Sequence, residues 1–382
     1  MPTPLMRLLR PLPPALLVIL LFGPGPATAA PSATTRQITD AAGRTVAVPA
    51  TVRRIVCLGP GCLRLIVFLG ATDRVVGIER FEIAHKTGRP YRLAHPELLT
   101  LPVIGPGGPK SINQEPDLEA VLKVAPQVIF ATVMDKAVAQ AMQDKLGIPV
   151  VVLSYGKFAR YDPKVFDSLT LAGNILDTPE RARAVVAFLQ NAEADVRARA
   201  AKGAKAPGFK RPTVYVGGTG LRGTHGLTST DHPYAPLDWL GADNLAGRFT
   251  NDGHMFIDRE QLLALDPQVL FIDAAGLSHV ADELRGQPEY ARALRAIKDG
   301  RTYLLYPFTT YLTNLDTIVV DAYAAGKILY PEAFADIDAV KKADEVYAFL
   351  DGKPVYGLMA ADFGPLGQVP AFLPKPAPAT QQ

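Results

Sequence analysis

Four cationic side chains, Arg80, Lys86, Arg89 and Arg92, crowd one stretch of the chain, with His85, Tyr91 and His95 among them. A guanidinium presents a planar fork of donors matched to carboxylates and other oxyanions. The chemistry this cluster predicts is capture of an anionic ligand. Arg222 and Arg248 are expected to face it from the other half of the molecule. His225, His232 and His254 form a second group. Imidazole is a common transition-metal ligand, but the spacings of 7 and 22 residues match no standard local motif. Metal ligation and ordinary loop positions both stay open for these three. Tyr91, Tyr155, Tyr234, Trp239, Tyr306 and Tyr311 offer flat apolar surface with a polar end, and part of this set is expected in the core. Gly59-Pro-Gly61 precedes Cys62 and Arg64. Its amides suit an anion, and a plain turn suits the same residues equally well.

Several catalytic patterns fail on inspection. Gly218-Thr-Gly-Leu-Arg-Gly223 fits G-x-G-x-x-G and follows a strand-like run, but the residues after it do not open a helix, so no dinucleotide site is expected. In Gly105-Pro-Gly-Gly-Pro-Lys-Ser111, Pro109 stands where a phosphate-binding loop needs glycine. A G-x-S-x-G nucleophile elbow is missing. These three patterns therefore give no support to an enzyme, and no cofactor is expected. A secreted metal-dependent hydrolase built on the three histidines is the alternative from another class.

The elements that must position these residues can be read from periodicity. Arg54–Leu58 is a buried strand, 62–70 a helix and Arg74–Ile78 the next strand, which predicts a parallel sheet with right-handed crossovers. Residues 79–116 and 217–236 read as long irregular stretches. A helix–strand unit then occurs twice: Asp117-Leu-Glu-Ala-Val-Leu-Lys-Val-Ala-Pro-Gln-Val-Ile-Phe130 and Asp258-Arg-Glu-Gln-Leu-Leu-Ala-Leu-Asp-Pro-Gln-Val-Leu-Phe271 agree at 7 of 14 positions with a constant offset of 141. Between the copies runs an amphipathic helix from about Pro179 to Lys202, with Thr178 as its expected cap and Ala182, Val185, Leu189, Ala192 and Val196 on one face. The fold class this predicts is α/β: two similar lobes with parallel-sheet cores, joined by a single long α-helix. The expected boundaries are a signal peptide over 1–29, an N-terminal lobe over 36–160, linking helices over 161–203, a C-terminal lobe over 212–350 and a flexible tail over 365–382. A single helix is expected over 281–297.

The chain has 382 residues, 48% of them hydrophobic and 20% charged, which suits a globular protein of two domains. Arg7 and Arg10 precede the apolar run Ala15–Phe22, and Ala27-Thr28-Ala29 fits a small-x-small cleavage site. The run is too short to span a bilayer, so export as a soluble periplasmic protein is expected. The formal charge of +3 includes Arg7 and Arg10; their removal leaves +1, too little to argue for nucleic acid or a membrane surface. Cys57 and Cys62 are expected as small buried residues in preference to a disulfide.

Arg54-Ile-Val-x-Leu-x-Pro60, Leu69-Gly-Ala-x-Asp-Arg-Val-Val-Gly77, Leu122-x-x-x-Pro-Gln-Val128, Leu240-Gly-Ala242 and Leu262-Leu-Ala-Leu-x-Pro267 together give the chain a resemblance. It resembles the periplasmic substrate-binding proteins of iron-siderophore, haem and cobalamin ABC importers over about residues 36–350. The resemblance implies two α/β lobes bridged by one rigid helix, a ligand in the cleft between them, an inner-membrane ABC permease dimer as partner, and a monomer. The ligand it implies is an iron chelate of siderophore type; cobalamin, haem or a metal oxyanion such as molybdate are alternatives. Glu119 and Glu260, at matching places in the two copies, resemble the family's paired glutamates that dock on permease arginines. Cys62, Leu63 and Arg64 depart from the family pattern after the first strand. The candidate ligand-binding set is Gly61, Cys62, Arg64, Arg80, Lys86, Arg89, Tyr91, Arg92, Arg222, His225, His232, Tyr234, His254, Tyr306 and Tyr311.

Overall fold

The computed structural model describes residue 1 and residues 35–373 except 86 and 222. The expected signal peptide, Lys86, Arg222 and residues 374–382 lie outside the described residues.

Among the described residues twelve strands follow in order: β1 (Thr35–Thr39), β2 (Thr45–Pro49), β3 (Ile55–Leu58), β4 (Val75–Gly77), β5 (Val128–Thr132), β6 (Val150–Leu153), β7 (Thr213–Gly217), β8 (Ser229–His232), β9 (Asp243–Asn244), β10 (Gly253–Phe256), β11 (Val269–Asp273) and β12 (Thr302–Leu305). β1 and β2 form an antiparallel hairpin. β3, β5 and β6 are buried at every position, as continuous aliphatic runs must be when helices cover both faces of a parallel sheet. The first sheet has the order β4-β3-β5-β6 and the second β12-β11-β7-β9, all pairs parallel. Read from β9 to β12, the second sheet repeats the first strand for strand.

The sequence repeat accounts for this. Helix Leu118–Val124 leads to β5, and helix Arg259–Leu265 leads to β11. Asp117 caps the first by accepting from the Ala120 N–H, and Asp258 caps the second by accepting from the Gln261 N–H. Both helices end in a left-handed residue, Ala125 (φ 43°) and Asp266 (φ 39°), where the following proline stops the coil.

The long helix spans Pro179–Gly203, 25 residues, or about 37 Å. It buries Ala182, Val185, Leu189, Ala192, Val196 and Ala200. Thr178 makes no side-chain cap bond, and its hydroxyl is buried without a partner. The helix reaches both lobes. Arg181 Nε donates to the Phe68 carbonyl at 2.7 Å, while Arg197 and Arg199 bond Asp238 and Asp336 at 3.0 and 2.6 Å. One hydrophobic cluster runs from Val46 and Phe68 through Leu189 to Tyr323 and Met359.

Other expectations needed correction. The helix expected over 281–297 is three short ones, Leu277–Gly286, Pro288–Ala293 and Arg295–Lys298, because Pro288 cannot continue the ladder. The stretch 79–116 contains helices Arg80–Ala84 and Pro90–Ala94, and β8 arises inside 217–236 by antiparallel pairing with β10. Helices Ala339–Asp351 and Tyr356–Phe363 return the chain to the first lobe, where His95 Nε2 lies 2.8 Å from the Asp351 carbonyl. Residues 365–373, expected to start a flexible tail, are packed: Leu366 and Leu373 are buried, and the Leu304 N–H donates to the Gln368 carbonyl at 3.0 Å. Cys57 and Cys62 are free, buried thiols, and burial pushes the Cys57 thiol well above its ordinary pKa.

Candidate functional site

The carboxyl ends of the two sheets meet between the lobes. Glu79, two residues beyond β4, is 7% exposed. Its carboxylate accepts from the Gly59 N–H at 3.1 Å, just after β3, and from the Tyr311 hydroxyl at 2.8 Å, beyond β12 in the other lobe. The Tyr311 oxygen accepts in turn from the Gly108 N–H at 3.0 Å. Burial pushes Glu79 up to about 7 against the lowering effect of these two donors. Only glycine fits at 59: φ is +82°, and a Cβ there would lie 2.6 Å from the Thr132 carbonyl oxygen. Tyr311 and Leu312 are consecutive left-handed residues, with φ of 51° and 73°. Such conformations cost on the order of 1–3 kcal/mol each and persist only where surrounding contacts impose them.

The basic cluster does not converge on the open cleft. Arg89 is fully buried and donates to Glu82 at 2.7 Å. Its guanidinium lies 4.9 Å from the Phe81 ring centroid and 5.1 Å from that of Tyr311. The buried Tyr91 hydroxyl donates to Glu82 at 2.8 Å, and Arg92 Nε donates to the Glu82 carbonyl. One residue of the same loop thus draws three of the expected ligand residues inward, Arg89 and Tyr91 through its carboxylate and Arg92 through its backbone carbonyl. Arg80 is exposed at the start of its helix. Glu82 was visible in the sequence, and its place among four cations was the signal for internal pairing.

Gly61, Cys62 and Arg64 are likewise buried. Arg64 spans the lobes, bonding Tyr155 on one side and the Thr310–Thr313 backbone on the other.

In the second lobe the three histidines separate. His225 and His254 lie with ring centroids 6.1 Å apart, each edge-on to Phe256 at 4.9 Å. Phe256 is 58% exposed. The His254 Nε2 is 2.7 Å from Ser229 Oγ, and the His225 Nε2 is 3.0 Å from the Leu221 carbonyl. Burial, helped by His225, lowers the pKa of His254. His232 packs instead against Gly247, after which a cis peptide leads to Pro233. Tyr234 donates to the buried Asp273 at 3.0 Å, and burial pushes that carboxyl up to about 7. Tyr306 is buried and donates to the Gly364 carbonyl at 3.0 Å. Tyr234 and Tyr306 are therefore core residues.

Sequence reasoning missed four participants. Arg160, on the first-lobe side, bonds Asp231 of β8 at 2.5 Å, and Lys157 bonds Asp252 beside β10 at 2.9 Å. Burial raises the Asp231 pKa even with Arg160 beside it. These pairs place the β8–β10 ribbon, and with it His254 and Phe256, on the border of the cleft. Glu119 and Glu260 are exposed in the first turns of the two equivalent helices, and Leu122, one turn beyond Glu119, is 50% exposed.

Two parallel-sheet lobes, one bridging helix and a cleft at the strands' carboxyl ends define a solute-binding protein of the helical-backbone class. The profile described as periplasmic binding protein matches residues 55–307, and the chain belongs to that family, the solute-binding proteins of ABC transporters. Family and fold are those of transport proteins that bind substrate. A periplasmic solute binding protein of Veillonella parvula has a similar structure: TM-score 0.66, 18% identity, 86% of this chain and 97% of that one covered. The molybdate-bound MolA of Haemophilus influenzae gives 0.62 at 20% identity over 84% and 98%. A periplasmic heme binding protein of Pseudomonas aeruginosa gives 0.52 at 24% over 73% and 93%. Curated sequences give no match.

Proposed function

We propose that the protein captures an iron chelate of siderophore type in the inter-lobe cleft and delivers it to an ABC permease dimer. The observation that carries this reading is the His225–His254 pair set edge-on to the exposed Phe256. Two imidazoles can donate N–H hydrogen bonds to the oxygens of a filled ferric chelate, or complete the coordination sphere of one that its chelator leaves partly open. The phenyl face beside them suits the apolar body of such a chelate. Arg80, exposed on the opposite lobe, supplies positive charge. The neutralisation of Arg89 by Glu82 favours a chelate of low net charge over a strongly anionic one.

Delivery rests on the matched positions of Glu119 and Glu260. The fold's internal repeat puts one carboxylate on each lobe, and a dimeric permease can present two equivalent cationic sites to them. The apolar run Ala15–Phe22 followed by Ala27-Thr28-Ala29 supports export to the periplasm with cleavage after Ala29. N-terminal sequencing of the exported protein tests that site.

The ligand is tested by calorimetry and native mass spectrometry of the exported protein with ferrioxamine B, ferric enterobactin, ferric citrate, haemin, cyanocobalamin and molybdate. A ferric chelate is expected to give a coloured one-to-one complex, weakened by His254→Ala and by Phe256→Ala. Binding of molybdate alone, or of haemin or cyanocobalamin alone, overturns the iron-chelate reading. Hydrolysis of an ester or phosphate probe that stops on chelator treatment would place the protein in another class.

A further inference from the structure

We propose that Arg64 is a positioning residue for the binding site: by gripping the second lobe's Thr310–Thr313 backbone from the first lobe, it holds the Tyr311 side chain, buried between the lobes, on Glu79. That this contact bears on ligand binding rests on the functional reading above, which puts the ligand between the lobes; the grip itself does not.

Arg64 is the third residue of helix Cys62–Phe68 and has no exposed surface. Its Nη1 donates to the Thr313 carbonyl at 2.8 Å and to the Tyr155 hydroxyl at 3.4 Å. Its Nη2 donates to the Thr310 and Tyr311 carbonyls at 3.2 and 3.3 Å. Three carbonyls from one four-residue segment therefore converge on one guanidinium, from residues nearly 250 positions away in sequence. The backbone turns them there through the left-handed pair Tyr311 and Leu312. The remaining carbonyl of the segment, that of Leu312, is held from within its own lobe by Asn314 Nδ2 at 3.5 Å, which also reaches the Thr310 carbonyl at 3.1 Å and that of Phe308 at 3.2 Å. A segment of two strained residues is thus fixed from both sides, by Asn314 behind and Arg64 across the cleft.

The surroundings are built for that cation. Gly61 leaves the room it needs, since a Cβ there would lie 3.0 Å from Nη1 and 2.8 Å from the Tyr155 hydroxyl. The Tyr91 ring centroid is 5.0 Å from the guanidinium carbon. Burial works against the charge, and Tyr155, Tyr91 and Asp316 together more than offset it. No other side-chain type supplies donors in a planar fork at fixed angles, so lysine cannot reproduce the grip. The result is read at Tyr311, whose hydroxyl meets Glu79 at 2.8 Å and the Gly108 N–H at 3.0 Å.

The test compares Arg64→Lys, Arg64→Ala, Tyr311→Phe and Arg64→Lys/Tyr311→Phe in the exported protein. Amide exchange over 307–314 is expected to rise roughly tenfold or more in both Arg64 variants while β5 and β11 keep their protection, the signature of local rather than global opening. Guanidinium ion at tens of millimolar, roughly two orders of magnitude below the molar concentrations that denature, is expected to restore protection in Arg64→Ala. Tyr311→Phe is expected to leave the segment protected. Ferrioxamine B affinity is expected to fall in Arg64→Lys and in Tyr311→Phe, with the double variant no weaker than the worse single one, because the two act in series. Unchanged exchange over 307–314 in Arg64→Lys overturns the proposal, and so do fully additive losses of affinity. If ferrioxamine B does not bind the unaltered protein, the choice of chelate is wrong, and exchange with guanidinium rescue decides the role of Arg64.

Discussion

Tyr311 donates its hydroxyl to Glu79 at 2.8 Å across 232 residues of sequence, so a phenol of one lobe closes on a carboxylate of the other. Burial pushes that carboxylate from its ordinary 4.5 to about 7, and does the same to Asp273, from 3.8 to about 7. A carboxyl raised in the folded state contributes stability that is complete below its unfolded pKa and is lost as pH rises through the folded one. The melting temperature is therefore expected to fall between pH 5 and pH 8, each group removing on the order of 1–3 kcal/mol. Asp231, raised by burial against Arg160, acts in the same direction. Replacing Glu79→Gln should flatten this slope in thermal scans; an unchanged slope would show that Glu79 ionises freely.

Glu82 holds Arg89, Tyr91 and Arg92 at once. Glu82→Gln leaves a buried guanidinium without its counter-charge, a change that costs about 3–5 kcal/mol when one partner of a buried pair is removed. Urea unfolding is expected to show that loss, with the slope of the transition unchanged.

Leu189 is 1% exposed at the middle of the bridging helix. Leu189→Ala is expected to cost roughly 2–5 kcal/mol by leaving a cavity. The same continuous rod resists hinge bending, so small-angle scattering with and without ferrioxamine B should differ by no more than a small change in radius of gyration. A large contraction would assign the hinge to another element.

Reversal of both docking candidates, Glu119→Lys with Glu260→Lys, is expected to abolish transport in cells while ligand affinity and melting temperature stay near those of the unaltered protein. Each residue lies in the first turn of its helix, where a carboxylate also stabilises the dipole by about 0.3–1 kcal/mol. Normal transport by the double variant would leave only that role.

The architecture was legible because it rests on local, repeated signals. The 141-residue offset located two equivalent helix–strand units, and apolar spacings of three and four located the bridging helix and five of the six residues it buries, Ala200 being the one left out. The site was far less legible. Arg89, Arg92 and Arg64 were read as ligand-facing because their types suit anions, yet burial is decided by partners that lie elsewhere in the fold: Glu82 nearby, and carbonyls of Thr310, Tyr311 and Thr313 in the other lobe. Glu79 and Arg160 carried no local pattern at all. β8 and β10 are four residues each and owe their existence to one another, which no single-segment periodicity can reveal. The helices after residue 338 were passed over although Asp338 caps the first of them through the Val340 and Lys341 N–H groups.

The return of helix Ala339–Asp351 to the first lobe has a consequence for how the molecule is made. His95 meets the Asp351 carbonyl, and Arg181 reaches both Phe68 and the Phe349 carbonyl. A chain emerging from its amino end assembles the first sheet early, as domains generally do, yet the face that receives this helix stays uncovered until residues 339–351 have appeared. Helix Ala339–Asp351 works as a clasp fastened late, so completion of the amino-terminal lobe waits on residues far down the chain, and truncations near residue 338 should leave that lobe sticky and prone to aggregate, not merely shortened.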